Sequence, residues 1–345
     1  MPKFLVVAPA WVGDSVMAQP LYRRLKDTLS GLQLEVMAPA FTLPLLRRMP
    51  EVDAVIENPF GHGALRLAER WRLGRELKRQ GYDQAIVLPN SLKSALIPWF
   101  AGIPRRVGFV GEFRYGLLSD ARKLDPRALP KMVERFAILS QARGEMLAQP
   151  LPEPRLQVSP VSRSKALKSL GLALDKPMVA FCPGAEYGPA KRWPPQHFAE
   201  LARRLGQHGY QVWLFGSVKD KAAGEAIMAG SAGNVRNLCG VTSLEQAVDL
   251  LSLATLVVSN DSGLMHVAAA LQRPLVALYG SSSPGFTPPL TEQAEILSLD
   301  LSCSPCFKRE CPLQHFDCMQ NLLPEQVERA MARLLQRVGT PTVSE

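Results

Sequence analysis

The feature that most constrains the fold is an alternation of short apolar strands with amphipathic helices, which occurs twice along the chain. Strands that alternate with helices form parallel sheets with helical crossovers. The sequence therefore predicts two α/β domains in tandem, joined at or just after the proline-rich segment 149–154. The predicted strands lie at 4–8, 34–37, 54–56 and 84–88 in the first half and at 178–182, 211–215, 256–259 and 275–278 in the second.

A chain of 345 residues suits two domains rather than one. No apolar run approaches the roughly 20 residues that span a bilayer. Residues 1–7 are typical of a first strand rather than of a signal peptide. A cytoplasmic location is therefore expected.

The net charge of +9 is distributed unevenly. Residues 1–170 contain 26 Lys and Arg against 15 Asp and Glu, whereas the remainder contains 14 against 16. This excess is either an ordinary solvated surface or a surface for an anionic partner: nucleic acid, acidic lipid or a phosphorylated glycan. The cations are scattered and form no basic block, which disfavours nucleic acid.

The segment 256–266 predicts a strand-to-helix turn that faces a ligand. Asp261 or Ser262 would cap the helix, and Gly263 would let a ligand approach the backbone. A helix N-terminus suits a phosphate, but Asp261 would repel a bare one and fits a sugar hydroxyl or ribose better. His266 lies one turn into the helix. The alternative is an ordinary capped helix with a core histidine.

Two further loops of the second half could take part in binding. The long loop 183–194 contains Lys191 and Arg192, which could neutralise a diphosphate or could form an ordinary surface pair. Ser217 follows another strand and could bind ribose or phosphate. The hydroxyl-rich segment 279–289 could line a sugar or be a plain loop.

In the first half, Asp14 follows the first strand. It could act as a general base on a hydroxyl, or could simply cap the next helix. The chain lacks G-x-G-x-x-G and Walker A patterns, so a dehydrogenase is disfavoured. Cations near predicted strand ends could contact an acceptor or lie on a solvated surface; these are Lys93, Arg105, Arg106 and Arg114.

Four of the six cysteines occur within sixteen residues. A C-x-x-C pair among them could hold a structural Zn²⁺ remote from the chemistry, although the spacing is not that of a zinc ribbon. A reducing cytoplasm argues against disulfides. The third possibility is that the four cysteines are free thiols. The four residues are Cys303, Cys306, Cys311 and Cys318.

Taken together and in order, these loops resemble the ADP-heptose–lipopolysaccharide heptosyltransferases of glycosyltransferase family 9. The resemblance covers nearly the whole chain except for the cysteine segment, and its motifs are specific. It implies a GT-B fold, in which two Rossmann-like domains with parallel sheets face a central cleft. The implied limits are an acceptor domain at 1–160, a donor domain at 170–323, and a final helix within 324–345 that packs back on the acceptor domain. The motifs that carry the resemblance are 9–14, 90–96, 101–104, 114–118, 182–194, 260–266 and 288–289.

The resemblance also implies an activity: inverting transfer of L-glycero-D-manno-heptose from ADP-heptose to the first heptose of the Kdo-lipid A inner core. Asp14 is the implied base and Lys93, Arg105, Arg106 and Arg114 the implied acceptor contacts. No metal cofactor is implied, and the anionic acceptor implies peripheral contact with the cytoplasmic face of the inner membrane and no nucleic acid. The implied donor contacts are Glu186, Lys191, Arg192, Ser217, Asp261, Ser262, Gly263, Leu264 and His266.

Two other classes of function remain open at this point. A non-hydrolysing sugar-nucleotide epimerase would share the architecture, but it would need no acceptor site, and the one-sided charge argues against it. A basic binding module for nucleic acid or acidic membrane would explain the charge without catalysis.

Overall fold

The computed structural model describes residues 1–61 and 63–339. The chain divides into two compact units, Met1–Pro154 and the part from Arg155 onward. The division therefore falls at the end of the proline-rich segment 149–154.

The N-terminal unit is a parallel six-stranded sheet with helices between its strands. Its core forms around the central strands, where Leu5 and Val6 are fully buried. The strands are β1 Lys3–Val7, β2 Gln33–Ala38, β3 Ala54–Glu57, β4 Gln84–Val87, β5 Arg105–Phe109 and β6 Asp120–Arg122. The helices are α1 Val12–Met17, α2 Gln19–Thr28, α3 Leu43–Leu46, α4 Leu67–Lys78, α5 Leu92–Phe100 and α6 Met132–Ala137.

The C-terminal unit repeats this plan. All five residues of each of its three central strands, β7, β10 and β11, are buried. The strands are β7 Met178–Cys182, β8 Gln211–Leu214, β9 Val235–Asn237, β10 Leu256–Asn260, β11 Leu275–Tyr279 and β12 Ala294–Ser298. The helices are α7 Pro160–Ser169, α8 Pro195–Gln207, α9 Lys221–Ala229, α10 Leu244–Leu251, α11 Gly263–Ala270, α12 Asp317–Gln320 and α13 Pro324–Val338.

Both sheets have the same strand order. It is β3-β2-β1-β4-β5-β6 in the first unit and β12-β11-β10-β7-β8-β9 in the second, with parallel pairing throughout. In each sheet the order reverses between the first and fourth strands of the unit. Ligands of open α/β sheets bind at the carboxyl ends of the strands beside such a switch point. The topology therefore directs attention to the loops after β1 and β4, and to those after β7 and β10.

The predicted α/β class is confirmed, and the eight strands predicted from apolar runs are present. Four strands were not predicted: β5, β6, β9 and β12. Strands β6, β9 and β12 lie at the edges of their sheets, where partial exposure removes the need for an apolar run. Strand β5 lies between β4 and β6, but it begins with two arginines and contains Gly108. The α7 helix, within the gap left between the predicted domains, packs on α10 and belongs to the second unit.

The final helix α13 packs on α8, β11 and β12 of the C-terminal unit. Its apolar face, with Val327, Met331 and Leu334, is buried in the core of that unit. Glu328 also pairs with Arg204 of α8 at 3.3 Å. Packing of this helix against the N-terminal domain stays a prediction.

Within the described residues, no helix is both long enough and apolar enough to cross a bilayer.

Candidate active site

The turn between β10 and α11 lies at the switch point of the second sheet. The strand ends at Asn260 and the helix begins at Gly263, so Asp261 and Ser262 form the turn. We expected a side chain to cap this helix, but Ser262 occupies the cap position without a capping hydrogen bond. Its hydroxyl lies instead 3.3 Å from that of Ser259. The first N–H groups of α11 are therefore not taken by a side-chain cap, which is the arrangement that suits an anionic ligand.

Lys191 and Asp261 form a close ion pair at this point. The Lys191 Nζ lies 2.5 Å from Asp261 Oδ2, and the two side chains are 17% and 4% exposed. Lys191 belongs to the loop after β7 and Asp261 to the turn after β10, and these strands are neighbours in the sheet. The ammonium also lies 5.1 Å from the centre of the Tyr187 ring. Two residues that the sequence singled out separately thus share one site.

Asn260 holds the two loops together. Its Nδ2 donates to the Pro183 carbonyl at 2.7 Å, and its Oδ1 accepts from the Trp193 N–H at 3.1 Å. Trp193 is 1% exposed and donates through its indole to Leu322 O at 2.7 Å. The loop that carries Lys191 is therefore anchored at both ends. Sequence reasoning gave Asn260 no role, although an amide at the end of an apolar strand was a usable signal.

His266 lies beneath the ion pair with 3% exposure, and its Nδ1 has no hydrogen-bond partner. Burial lowers its pKa to about 4; Lys191 acts in the same direction and Asp261 opposes it. The imidazole is therefore neutral near pH 7 and offers a hydrogen bond rather than a charge. Leu264, another predicted donor contact, is half-buried in the first turn of the same helix.

Arg192 points toward the neighbouring strand rather than toward Lys191. Its Nη2 lies 3.7 Å from Asp220 Oδ1 and donates to Ala185 O at 3.3 Å. Asp220 accepts from the backbone N–H and hydroxyl of Ser217 at 2.9 and 2.8 Å. Gly184 is required here, since a Cβ would lie 2.5 Å from Asp220 Oδ2.

Glu186 and Ser217, both predicted donor contacts, are exposed. Glu186 pairs with Lys219, which is also exposed. These two positions therefore form the outer rim of the loops after β7 and β8, while Lys191 and Asp261 are the more enclosed pair.

The loop after β11 adds two buried hydroxyls to this edge of the sheet. Ser281 and Ser282 are 1% and 5% exposed, and neither Oγ has a hydrogen-bond partner. The sequence indicated the segment 279–289 only as hydroxyl-rich and did not single out these two serines. Burial of an unpaired hydroxyl is costly, so these atoms are candidates to bind a ligand.

The cysteine segment is not remote from this site, which corrects the expectation from the sequence. Tyr187 Oη donates to Phe307 O at 2.8 Å, and Ala190 N–H donates to Arg309 O at 3.1 Å. The N–H of Phe307 in turn donates to Ser281 O at 2.7 Å. We call residues 303–309 the strap, because they connect the loop of Lys191 to the loop after β11.

All four clustered cysteines are free thiols. Burial raises the pKa of Cys318 to about 11, and charge on Cys303, Cys306 and Cys311 acts in the same direction. Backbone N–H groups, that of Phe316 first, lower the pKa of Cys311. Even so, no group of three or more His, Cys, Asp or Glu among residues 1–61 and 63–339 is arranged to hold a metal ion. The possibility of a structural zinc site thus has no support in this arrangement.

In the N-terminal unit, Asp14 lies within the first turn of α1 and is half-buried. The cap position belongs to Trp11, so the alternative reading of Asp14 as the cap is wrong. The loop after β1 places this carboxylate at the carboxyl edge of the sheet, beside its switch point. Lys93, in the first turn of α5 after β4, lies at the same edge.

The three arginines predicted to contact an acceptor are placed differently. Arg105 and Arg106 begin β5, which puts them at the amino edge of the sheet, opposite Asp14. Arg114 is 0% exposed, and its guanidinium donates to carbonyls of the loops after β4 and β5, including Pro89 and Phe109. The structure therefore separates Arg105 and Arg106 from Asp14 and Lys93. Arg114 instead anchors the segment that carries Lys93, because its Nη1 donates to Ser91 O and Ser94 Oγ at 3.1 Å each.

These observations define a class of protein: two doubly wound α/β units, of which the second carries a cation, a carboxylate and an uncapped helix end at its switch point. The family model of "Glycosyltransferase family 9 (heptosyltransferase)" matches residues 70–317. The chain belongs to this family and is a glycosyltransferase.

Individual relatives align along the full length. "Lipopolysaccharide heptosyltransferase 2" of Salmonella typhimurium is 51% identical, over 98% of this chain and 99% of that protein. The protein of the same name from Escherichia coli K12 is 51% identical, over 97% and 99%. The solved "Structure of E. coli ADP-heptose lps heptosyltransferase II" superposes with a TM-score of 0.88 at 48% identity, covering 97% of this chain and 99% of that one.

Proposed function

We propose that this protein transfers L-glycero-D-manno-heptose from ADP-heptose to the first heptose of the Kdo-lipid A inner core, with inversion at the anomeric carbon. The observation that carries the proposal is the Lys191–Asp261 pair at the switch point, 2.5 Å apart, beside the uncapped end of α11. The full-length similarity to the heptosyltransferases 2 named above supports the choice of donor and acceptor.

The C-terminal unit would bind the donor. An ammonium has three donors, and Asp261 uses one of those of Lys191, so the others are available to the diphosphate. The N–H groups of Ser262 and Gly263 would bind the same phosphates. The second carboxylate oxygen of Asp261, the neutral His266 and the hydroxyls of Ser281 and Ser282 would accept or donate hydrogen bonds to the sugars.

The chemistry would proceed by a single displacement. Asp14 takes the proton from the acceptor hydroxyl as its oxygen bonds to the anomeric carbon from the face opposite the diphosphate. The bond from the anomeric carbon to the phosphate oxygen breaks, and ADP leaves with the electron pair. The charge that develops on ADP is stabilised by Lys191 and the helix end, so this scheme assigns no step to a metal ion.

The test is a transfer assay with purified protein, ADP-heptose and heptosyl-Kdo2-lipid A, performed with and without EDTA. Mass spectrometry should show one added heptose in both conditions. Loss of ADP-heptose without a change in the acceptor would instead favour the epimerase class. If neither heptosyl transfer nor loss of ADP-heptose is observed, the proposal is contradicted.

The role of Asp14 is tested by Asp14→Asn, which keeps the shape of the side chain. Removal of a general base typically costs 10²–10⁴-fold in rate, so we expect kcat to fall by about that range. ADP should bind as before, because Asp14 belongs to the other unit. A variant that turns over like the parent would exclude Asp14 as the base.

We also propose that the protein works at the cytoplasmic face of the inner membrane. Its acceptor would be anchored there by lipid A, and the excess of positive charge in residues 1–170 suits an anionic surface.

A further inference from the structure

Helix α4 presents an outward face that combines apolar and basic side chains. Leu67 and Trp71 are 51% and 50% exposed, although both are large and apolar. The buried face of the same helix, with Arg70, Gly74 and Leu77, is centred about 50° from Leu67 and about 90° from Trp71. Leu67 and Trp71 therefore form an apolar edge beside the buried face that stays exposed in the described part of the unit.

Three cations of α4 lie around this edge. At 100° per residue, Lys78, Arg75 and Arg79 lie about 20°, 40° and 80° from Trp71, whereas Arg72 lies about 100° from Trp71 and only about 40° from Glu76. Both acidic residues of the helix, Glu69 and Glu76, lie on the far edge, about 160° to 180° around from Leu67. In the described parts of the chain, no carboxylate forms an ion pair with Arg72, Arg75, Lys78 or Arg79.

The neighbouring helix extends this surface. Gly74 packs so closely on α5 that an added Cβ would lie 2.5 Å from Phe100 Cβ. The adjacent residue Trp99 is 45% exposed, and Leu65, before the start of α4, is 50% exposed. We call this set the α4 face: Leu65, Leu67, Trp71, Arg75, Lys78, Arg79 and Trp99.

We infer that the α4 face docks the protein on an anionic lipid surface. A basic helix with exposed Trp and Leu matches the helices that lie in the membrane interface, with apolar side chains among the acyl chains and cations at the headgroups. Nucleic acid would use the cations but leave the apolar edge unsatisfied. A surface that combines cations with exposed apolar side chains fits acidic phospholipid.

The position of α4 connects this surface to the catalytic edge. The helix begins after β3, at the carboxyl edge of the sheet where Asp14 and Lys93 lie. Arg70 Nη1 donates to Lys93 O at 3.2 Å, which ties the helix to that edge. Docking through α4 therefore presents the carboxyl edge of the sheet to an acceptor that is anchored in lipid. This role in presenting the acceptor rests on the proposed function, whereas the docking itself does not.

The first experiment measures binding of the full chain to vesicles without nucleotide or acceptor. Vesicles of phosphatidylcholine alone are compared with vesicles that contain about one third phosphatidylglycerol. We expect binding only to the anionic vesicles. Each surface cation contributes about fivefold to partitioning, so Arg75→Gln/Arg79→Gln should bind roughly 25-fold more weakly. The matched control is Lys165→Gln/Lys168→Gln, which removes two exposed cations from α7.

The second experiment locates the contact. Trp fluorescence is quenched by brominated acyl chains only when the indole enters the bilayer. Quenching by brominated anionic vesicles should be largely lost in Trp71→Phe/Trp99→Phe, which removes both indoles of the α4 face, and kept in Trp11→Phe, which removes an equally exposed indole from another part of the unit. Unfolding curves of every variant check that the fold is intact.

Three results would overturn the inference: equal binding to neutral and anionic vesicles, equal loss in the α7 control, or quenching that persists in Trp71→Phe/Trp99→Phe. Binding to duplex DNA that is as tight as binding to vesicles, and lost in the same variant, would assign the surface to nucleic acid instead. Because none of these assays contains a sugar nucleotide, failure of heptosyl transfer would leave their outcome unchanged.

Discussion

At the scale of single residues, the proposed donor site depends on one ion pair, which contributes to the structure and to which we assign a role in binding the donor. Asp261 is buried, and Lys191 is the cation that compensates its charge. A buried carboxylate that loses its partner is strongly destabilising. Substitutions at these positions must therefore be interpreted through stability and affinity together.

Lys191→Ala should weaken ADP binding by roughly 10- to 100-fold, because a charge-assisted hydrogen bond to the diphosphate is lost. It should also lower the free energy of unfolding by up to about 3 kcal/mol, since Asp261 is left unpaired. Titration calorimetry and urea unfolding measure the two effects.

The double variant Lys191→Ala/Asp261→Asn separates these two roles. It should recover most of the stability but not the affinity for ADP. Lys221→Ala, on the exposed surface of α9, is the control. If the double variant binds ADP like the parent, Lys191 does not contact the diphosphate.

His266 predicts a specific pH dependence of stability. Burial lowers its pKa from 6.5 to about 4, so the unfolded chain binds the proton more readily than the folded one. The contribution of neutral His266 to the free energy of unfolding is present above pH 6.5 and is lost as the pH falls toward 4. The shift corresponds to about 3 kcal/mol, and roughly 2 kcal/mol or more of it should be lost by pH 4.5.

Urea unfolding at pH 7 and pH 4.5 tests this expectation. The free energy of unfolding at pH 7 minus that at pH 4.5 should be smaller by roughly 2 kcal/mol in His266→Gln than in the parent. His208→Gln, which removes a largely exposed imidazole, should not change the difference. An unchanged difference in His266→Gln would show that the histidine is charged in the folded state or exposed to water.

At the scale of elements, the strap connects the cysteine segment by hydrogen bonds to the loop 183–194, which carries Lys191 and which we call the donor loop. Gly188 lies where the two meet, and a Cβ there would stand 2.3 Å from Arg309 O. The Ala190–Arg309 hydrogen bond lies two residues further on. Movement of the strap should therefore displace the loop that carries Lys191.

Gly188→Ala should weaken ADP binding and lower the free energy of unfolding by about 1–3 kcal/mol, because the strap must shift to admit the methyl group. Gly116→Ala is the matched control, since nothing lies within 4 Å of its added Cβ. Calorimetry with ADP measures the first effect and denaturant unfolding the second. Normal ADP binding in Gly188→Ala would show that the strap does not position the loop.

At the scale of the whole molecule, the C-terminal unit contains every donor contact assigned above and also the helix α13. That helix completes the core of the unit with Val327, Met331 and Leu334. Trp193, which ends the donor loop, also bonds to Leu322 just before the helix. The unit with α13 should therefore be sufficient for donor binding.

A fragment of residues 155–345 should fold cooperatively and bind ADP within about a few-fold of the full chain. A fragment that ends at residue 323 should not fold, because the burial of Val327, Met331 and Leu334 of α13 is lost and each contributes about 1.5–3 kcal/mol. Circular dichroism and calorimetry distinguish the two. If the shorter fragment folds and binds equally well, α13 is not part of this unit's core.

The central strands and the loops that follow them were predictable from sequence, because a strand buried on both faces must be an unbroken apolar run and its end is marked by the first polar residues. Asp14, Lys191, Asp261 and His266 were found in this way. Strands β5, β6, β9 and β12 were not found, since their partial exposure and short apolar stretches permit Arg, Glu and Gly within them.

The sequence by itself determined the α/β class, the repetition of one architecture and the loops proposed to form the site, because these depend on local periodicity and residue type. Only the tertiary structure decided which loops meet. The order of strands brings Lys191 next to Asp261 and puts Arg105 and Arg106 at the edge of the first sheet opposite Asp14. The strap contacts the loop 183–194, which carries Lys191. Strand order is set by packing between segments far apart in the chain, and that packing leaves no periodic signal in any one of them.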